Sequence, residues 1–552
     1  MCANIQPNSC LKKTSRNWLL FRNPSVLICL LLSLCFGCQP QAPLYPDTAV
    51  FRYNEHANIT SLDPAFAKDQ RNIWACHQLY NTLVQLDENL EIQPDLAKSW
   101  SISEDATTYT FKLKPQVYFH ENEVFKNRAD RQVQAQDVVY SLKRLTDKQV
   151  ASPGSWVMNQ VKSIEAINNN QVQIKLHQAF PGFLGLLSMK FCSIIPQEME
   201  QLDFRVNPIG TGPFYFKRWE PNEKLVFRKN TNYHEFDENG ERLPYLEAVA
   251  ITFLPDKQAE FLQFAQGKLD FLSGLDPAYK DELLNSQGQL NTRYQEKISL
   301  QKAPYLNTEY IGLYVDDPQQ ATHYRSFRQA LNYAIDKPNM MRYLRNNIGV
   351  PAQGGFIPRG LPAHTSSGFY TYQPEKARAL IQKFKQEHPN IPVQLKISTS
   401  ASYLDLVEYL QGQLTQVGIQ TEVEVMPPST LRQLRSVGKL AAFRASWIAD
   451  YPDAQNYLSL FYKANWSPHG PNYTHYASAT FDSLYQKAMT APQAPARESL
   501  YRQMDALLMQ AAPVIPLYYD EVVRFTQKNV HGLGINAINL LDLKRVQKQA
   551  LE

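Results

Sequence analysis

Arg444, Trp447, Asp450 and Asp453 fall in one short run, Arg444-Ala-Ser-Trp447-Ile-Ala-Asp450-Tyr451-Pro452-Asp453. A carboxylate can hold an ammonium, a guanidinium can hold a carboxylate, and an indole offers a flat apolar wall. At the lip of a cleft this set suits a zwitterionic ligand. The same residues also describe a tight turn with solvated aspartates beside a core tryptophan. A third reading is a secreted hydrolase using Asp450 and Asp453 as its acid and base. Glycosidase carboxylates stand roughly 5–9.5 Å apart across a substrate, and two aspartates on one turn would point apart. His120, His177, His469 and His475 share no metal-ligand spacing, and no nucleophile elbow or triad pattern stands out. No catalysis, metal or cofactor is expected.

The elements around this run must position it. The run begins like the end of a buried strand, turns at Pro452, and continues as a short helix with Tyr457, Leu458 and Phe461 on one side. From Pro374 the pattern is helix, strand (393–398), helix (404–417), strand (420–425), an alternation that argues for α/β architecture. Helices over 481–489 and 497–510 follow. Upstream, the patterning predicts a strand over 49–53, a helix over 72–82 and a helix over 134–145. Alternation at 108–113 and 117–120 predicts half-exposed antiparallel strands. Gly210, Gly212 and Pro213 make a constrained turn that delivers a strand over 214–216. A phosphate loop would open a helix there instead. A strand over 249–253, a helix over 256–267, a break at 303–306 and an amphipathic helix over 325–336 complete the pattern.

A chain of 552 residues is too long for one hydrophobic core, so two or three domains are expected. The formal charge of +4 comes from Lys12, Lys13, Arg16 and Arg22, which lie in residues 1–37 with no acid among them. The remainder is neutral, which argues against a protein that tracks nucleic-acid phosphates. The 30 tyrosines suit adaptable binding surfaces and ordinary sheet faces alike.

The basic start leads into the apolar run Val26-Leu-Ile-Cys-Leu-Leu-Leu-Ser-Leu-Cys-Phe36, short of the roughly 20 residues that span a bilayer and suited to an export signal. It stops at Gly37-Cys38, which resembles a bacterial lipoprotein signal with Cys38 as the lipidated residue. Cys35-Phe36 departs from the usual leucine and small residue there. Five of the seven cysteines lie at or before Cys38, leaving Cys76 and Cys192. They are expected as two separately buried thiols, a bridge between them being the alternative.

Ser61-Leu-Asp-Pro64, Gln93-Pro-Asp-Leu-Ala-Lys-Ser-Trp100, Tyr109-Thr-Phe-Lys-Leu-Lys114 and Ala135-Gln-Asp-Val-Val-Tyr-Ser-Leu-Lys-Arg144 come in an order similar to the oligopeptide- and dipeptide-binding family. This is family 5 of the extracytoplasmic solute-binding proteins that serve ABC transporters. Asn207-Pro-Ile-Gly-Thr-Gly-Pro-Phe-Tyr-Phe-Lys-Arg-Trp219 resembles its central signature, and the likeness runs from Ala49 to about Val530. The charged segment 121–131, between Phe119-His120 and Ala135, departs from the family's short turn and reads as a surface insertion.

The resemblance implies an α/β, two-lobed periplasmic-binding-protein fold (type II, cluster C-like) with an extra subdomain on the first lobe. Signal peptide 1–37 and lipidated linker 38–48 would precede lobe 1, built from 49–70, 196–303 and the return 520–552. The extra subdomain would be 71–195 and lobe 2 304–519, with crossings near 302–306 and 517–522. It also implies a short peptide ligand, ABC permease subunits as partners, no nucleic acid, a monomer, and a membrane tie through Cys38. The protein would then face the periplasm or the outer surface of the cell envelope. The family's aspartate for the ligand ammonium, three residues after a tryptophan, maps to Asp450 after Trp447. Arg444 matches a carboxylate-binding position or pairs with a structural acid, and Trp447 would wall a side-chain pocket. Asn58, Ile59 and Thr60 match a segment that pairs with the ligand like an added strand, although Asn58 replaces a glutamate found in oligopeptide binders. Tyr518, Tyr519 and Trp156 are candidate liners. A nickel chelate or an oligosaccharide is the alternative cargo of the same fold.

Overall fold

Two long strands, Ile298–Leu313 and Val514–Gln527, carry the architecture. They pair antiparallel along nearly their whole length in the computed structural model, which describes residues 47–127, 130–491 and 493–550. The proposed signal peptide and Cys38 lie outside the described residues. At one end Val514–Gln527 pairs with Phe271–Ser273, and beyond it come Val50–Asn54, Ala248–Thr252, Lys224–Lys229 and Phe214–Glu220. At the other end Ile298–Leu313 pairs with Ala442–Ile448, followed by Gln394–Thr399 and Gln420–Val425. One continuous sheet therefore runs through both lobes.

The break expected at 303–306 is instead a bulge inside an unbroken strand. The register slips between Pro304 and Thr308, and again between Glu309 and Tyr310, where Pro516 faces Tyr310. Proline lacks the N–H that a regular ladder needs, so these strands keep pairing only by becoming irregular there.

Lobe 1 and its extra subdomain share a hydrophobic core that includes Phe51, Phe111, Phe183 and Phe271, with Leu541, Leu543 and Val546 returning to it. The subdomain holds a four-stranded antiparallel sheet: Ala97–Ile102, Thr108–Leu113, Gln171–Leu176 and Val161–Asn168. Helix Ala135–Arg144 starts with a capping box in which Gln134 and Asp137 satisfy each other's backbone N–H groups.

Residues 117–120 do not form the expected strand; a single bridge joins Tyr118 to Gln132. Nor is 121–131 a purely surface insertion. Phe125 is buried against Phe119, and the Arg131 guanidinium donates to both Asp137 and Glu198. The helix expected over 325–336 stops at Tyr333, and the Asp336 side chain caps a second helix, Lys337–Arg345. Pro338 in that helix's first turn reinforces the new start.

Cys76 and Cys192 are free and buried, the second outcome open to them being a bridge. Burial pushes the Cys192 thiol up to about 12 and Cys76 well above the ordinary thiol range. Neither is a reactive thiolate at neutral pH.

Lobe 2 fixes its Pro/Gly-rich loop with one buried acid. Asp505, on helix Ala494–Ala511, accepts a hydrogen bond of 2.7 Å from the Phe356 N–H. Gly355 must be glycine, because a Cβ there would stand 1.7 Å from Asp505 Oδ2. That oxygen is buried without a partner, and burial pushes the carboxyl pKa up to about 7. A folded-state pKa above the unfolded value means stability is lost as pH rises through that interval. Asp505→Asn should remove about 2 kcal/mol of the stability difference between pH 5 and pH 8. Melting curves of both proteins at the two pH values test this; an unchanged difference would refute it.

Candidate ligand-binding site

Where the two long strands cross, a cleft opens with two compartments of about 450 and 320 Å³. Both are lined by Gln70, Trp74, Tyr305 and Ile448, so they belong to one cleft. Helix Gln70–Leu79 supplies Gln70 and Trp74 because Asp69 caps its first turn. Trp74 is locked by an Nε1–H donated to the Asn539 carbonyl at 2.8 Å. Tyr305 sits in the irregular crossing, and Ile448 ends strand Ala442–Ile448, where it is 45% exposed.

Asp450 lines the smaller compartment, two residues beyond that strand. Its backbone N–H and its carboxylate both face the Asn456 amide, each at 3.3 Å. Although Asp450 is exposed at the cleft wall, the protein packed around it raises its carboxyl pKa through partial desolvation, and the Asn456 donor partly offsets this. Trp447 donates its Nε1–H to Asn456 Oδ1 at 2.7 Å and packs on the lobe 2 core. It lines neither compartment, so its visible part is to hold Asn456, which holds Asp450.

Tyr451 gives this turn a second anchor. It packs in the lobe 1 core at 6.2 Å from the Phe180 ring. Gly182 and Gly185 make room for it; a Cβ on Gly182 would meet the Tyr451 ring at 2.8 Å. Turn 450–453 thus leaves lobe 2 and docks on the subdomain, and Asp450 sits at the junction. Asp453 points elsewhere, accepting from the Gln455 N–H at 2.8 Å with Arg497 at 3.8 Å. The two aspartates are not arranged as a pair across the cleft.

Arg444 is bonded to Glu309 on the neighbouring strand, and its guanidinium lies 3.1 Å from the centre of the Tyr403 ring. Burial opposes its charge, but Glu309 more than offsets this and raises its pKa. Tyr518 lines the larger compartment under the Arg345 guanidinium, at 4.6 Å. Tyr519 turns away, donating its hydroxyl to the Gly355 carbonyl at 2.6 Å. Asn58 is engaged with Asn222, Thr60 with Asn72, and Ile59 is buried. Trp156 is 36% exposed. None of Asn58, Ile59, Thr60, Trp156 and Tyr519 lines either compartment.

Sequence reasoning passed over several liners of the larger compartment. Arg345 is paired with Asp520 at 2.6 Å, and Lys257 with Glu260 at 2.8 Å. Glu55 stands apart, with Oε1 buried and unpartnered and its pKa pushed up to about 8 by burial. Its signal was an acid directly following strand Val50–Asn54, at the strand end where such clefts open. Away from the cleft, Asp95, His234 and Glu235 bring ligand atoms within 4.8 Å of one another. Asp95 is already held by Asn81 and Thr82 and Glu235 by Lys544 at 2.8 Å, whereas both ring nitrogens of His234 are buried without a hydrogen-bond partner among the described residues, Nε2 standing 3.7 Å from Asp95.

Two α/β lobes threaded by a pair of crossing strands, with a ligand-sized cleft at the crossing, define a two-lobed solute-binding protein of the periplasmic type. The chain belongs to the bacterial extracellular solute-binding proteins, family 5, whose middle-region model matches residues 91–468. It is 26% identical over 488 residues to the dipeptide-binding protein of Escherichia coli (strain K12), covering 83% of this chain and 87% of that one. It is 28% identical over 477 residues to heme-binding protein A of Haemophilus influenzae, covering 80% and 81%. Among solved structures, the periplasmic binding protein DppA of Helicobacter pylori in complex with peptide STSA superposes with a TM-score of 0.74. That match is 25% identical and covers 91% of this chain and 98% of that one.

Proposed function

We propose that this protein captures short peptides in the interlobe cleft and delivers them to the permease subunits of an ABC transporter. The observation that carries the reading is Asp450: a carboxylate lining a largely apolar compartment at the junction of lobe 2 and the subdomain, with one amide as its partner. Asp450 is itself exposed to the cleft, so the attraction of a ligand ammonium entering there strengthens as the ligand covers both charges and excludes water. The names of the relatives point the same way, since peptides are what the Escherichia coli and Helicobacter pylori proteins are named for or contain.

The rest of the reading follows from the sequence. The protein acts outside the cytoplasm as a monomer tied to the membrane by lipid on Cys38. Among the described residues no helix is long and apolar enough to cross a membrane. Lobe 1 comprises 49–70, 196–303 and 520–552, its subdomain 71–195, and lobe 2 304–519. Binding and release, not catalysis, are its work.

Mass spectrometry of the ligand retained through purification, followed by calorimetry with a mixed di- to pentapeptide library, tests the proposal. Retained peptide and a binding heat from the library are expected. A protein that retains a non-peptide solute and ignores the library would overturn it.

A further inference from the structure

A zwitterion held at Asp450 needs a cation for its other end. Lys68 and Lys190 both line its compartment; Lys68 is exposed to solvent, and the other cations nearby are occupied. Arg444 is bound to Glu309, Arg345 to Asp520 and Lys257 to Glu260. Lys190 is different. It begins the turn Lys190–Cys192, just after helix Phe183–Ser188 of the subdomain, and is 6% exposed. It lines the compartment that Asp450 lines from lobe 2. Among the described residues its ammonium makes no hydrogen bond and has no carboxylate within ion-pair distance. The acids acting on it from further off, Asp95 and Asp542, are engaged elsewhere: Asp95 by Asn81 and Thr82, Asp542 by Lys544 and His77.

Burying an ammonium without a partner costs several kcal/mol, and burial accordingly lowers the Lys190 pKa. The compartment also suits a small amphiphile. Ile73, Trp74, Phe191 and Ile448 supply apolar wall. Its volume of about 320 Å³ lies at the small end of ligand cavities, about 300–1,000 Å³. A ligand that fills it is short, and its charged groups must end near the charged walls.

We propose that Lys190 is the second charged anchor of the site, receiving a carboxylate of the ligand while Asp450 receives its ammonium. This rests on the peptide reading above and sharpens it: the preferred cargo is a short zwitterion with an apolar side chain, held between subdomain and lobe 2. Each charge then satisfies a group that has no ionic partner among the described residues, so ligand binding favours the arrangement in which both walls are present.

Calorimetry on the purified mature protein and on Lys190→Met tests this with three probes: Ala-Leu, its C-terminal amide, and Ala-Glu amide, whose only carboxylate is on the side chain. The wild type is expected to bind at least one carboxylate-bearing probe roughly tenfold or more tightly than Ala-Leu amide. Lys190→Met should erase that preference while its melting temperature holds or rises, because an unpaired buried charge has been removed. Preference for Ala-Leu identifies the terminal carboxylate as the source, and preference for Ala-Glu amide the side chain. If the variant keeps the acid-over-amide ratio, the anchor role is overturned and peptide binding stands. If the wild type binds none of the probes or the wider library, both fall. Should Lys190→Met fail to fold, the same ratio is read in Lys190→Gln, where an unchanged ratio again overturns the role.

Discussion

Arg444→Met is expected to lower the unfolding free energy by about 3–5 kcal/mol, the range for breaking a buried ion pair from one side. Arg444 and Glu309 expose 11% and 4% of their side chains. Without the guanidinium, Glu309 keeps the Asn307 amide at 3.3 Å and the more distant Arg345 cation, against burial and the like charge of Asp520. Tyr403 also loses the cation against its ring. The expected loss comes mainly from stranding the carboxylate, so adding Glu309→Gln should recover a substantial part of it. Denaturant titrations of the wild type, the single variant and the double variant measure the cycle. A single-variant loss below about 1 kcal/mol, typical of an exposed pair, would refute the account. Peptide affinity provides a separate check: because Arg444 is engaged with Glu309, any preference of the protein for free acid over amide ligands should survive its removal.

Asp450→Asn should act the opposite way, on affinity far more than on stability. Truncating one partner of a desolvated charge pair costs about 2–5 kcal/mol, or roughly thirtyfold and upward in dissociation constant. The fold should tolerate the change, since Asp450 meets a single amide in the free protein and its surroundings already disfavour its charge. The pH dependence has a definite sign. The raised pKa means that protonation competes with the ligand ammonium, so wild-type affinity should fall as pH drops through that pKa. The asparagine variant lacks this competition and should show a flatter profile. Calorimetry with a bound peptide at descending pH reads both effects; equal affinities for the two proteins would remove Asp450 from the site and the main support for a peptide ligand.

Much of the fold was legible because local patterning carries it. Alternation at 108–113, helical spacing at 404–417 and the strand at 420–425 each appear close to where the sequence places them. Misreadings cluster where a local signal met a tertiary answer. Proline at 304 is a strand breaker by itself, yet pairing along both flanks holds the strand together and turns the break into a bulge. Alternation at 117–120 predicts a strand, but the segment has only the Tyr118–Gln132 bridge, and its Phe119 and Phe125 pack together instead.

The site divides along the same line. Asp450, at the end of a buried strand before a proline turn, was visible as a charge bound for an exposed edge, but nothing local separated it from Asp453, which lies just before the Ala454 cap of helix Gln455–Leu458. What Arg444 does was undecidable from its neighbours, because Glu309 meets it from a distant strand through sheet register. Lys190 and Glu55 carry no motif at all; both stand out only once their burial is known, and Glu55 also by an unpartnered oxygen. The sequence by itself determined the element pattern and the family resemblance, since periodicity and motif order are properties of neighbouring residues. Tertiary structure alone decided which charges are neutralised and which line the cleft, because pairing and desolvation depend on what the rest of the chain brings within a few ångströms.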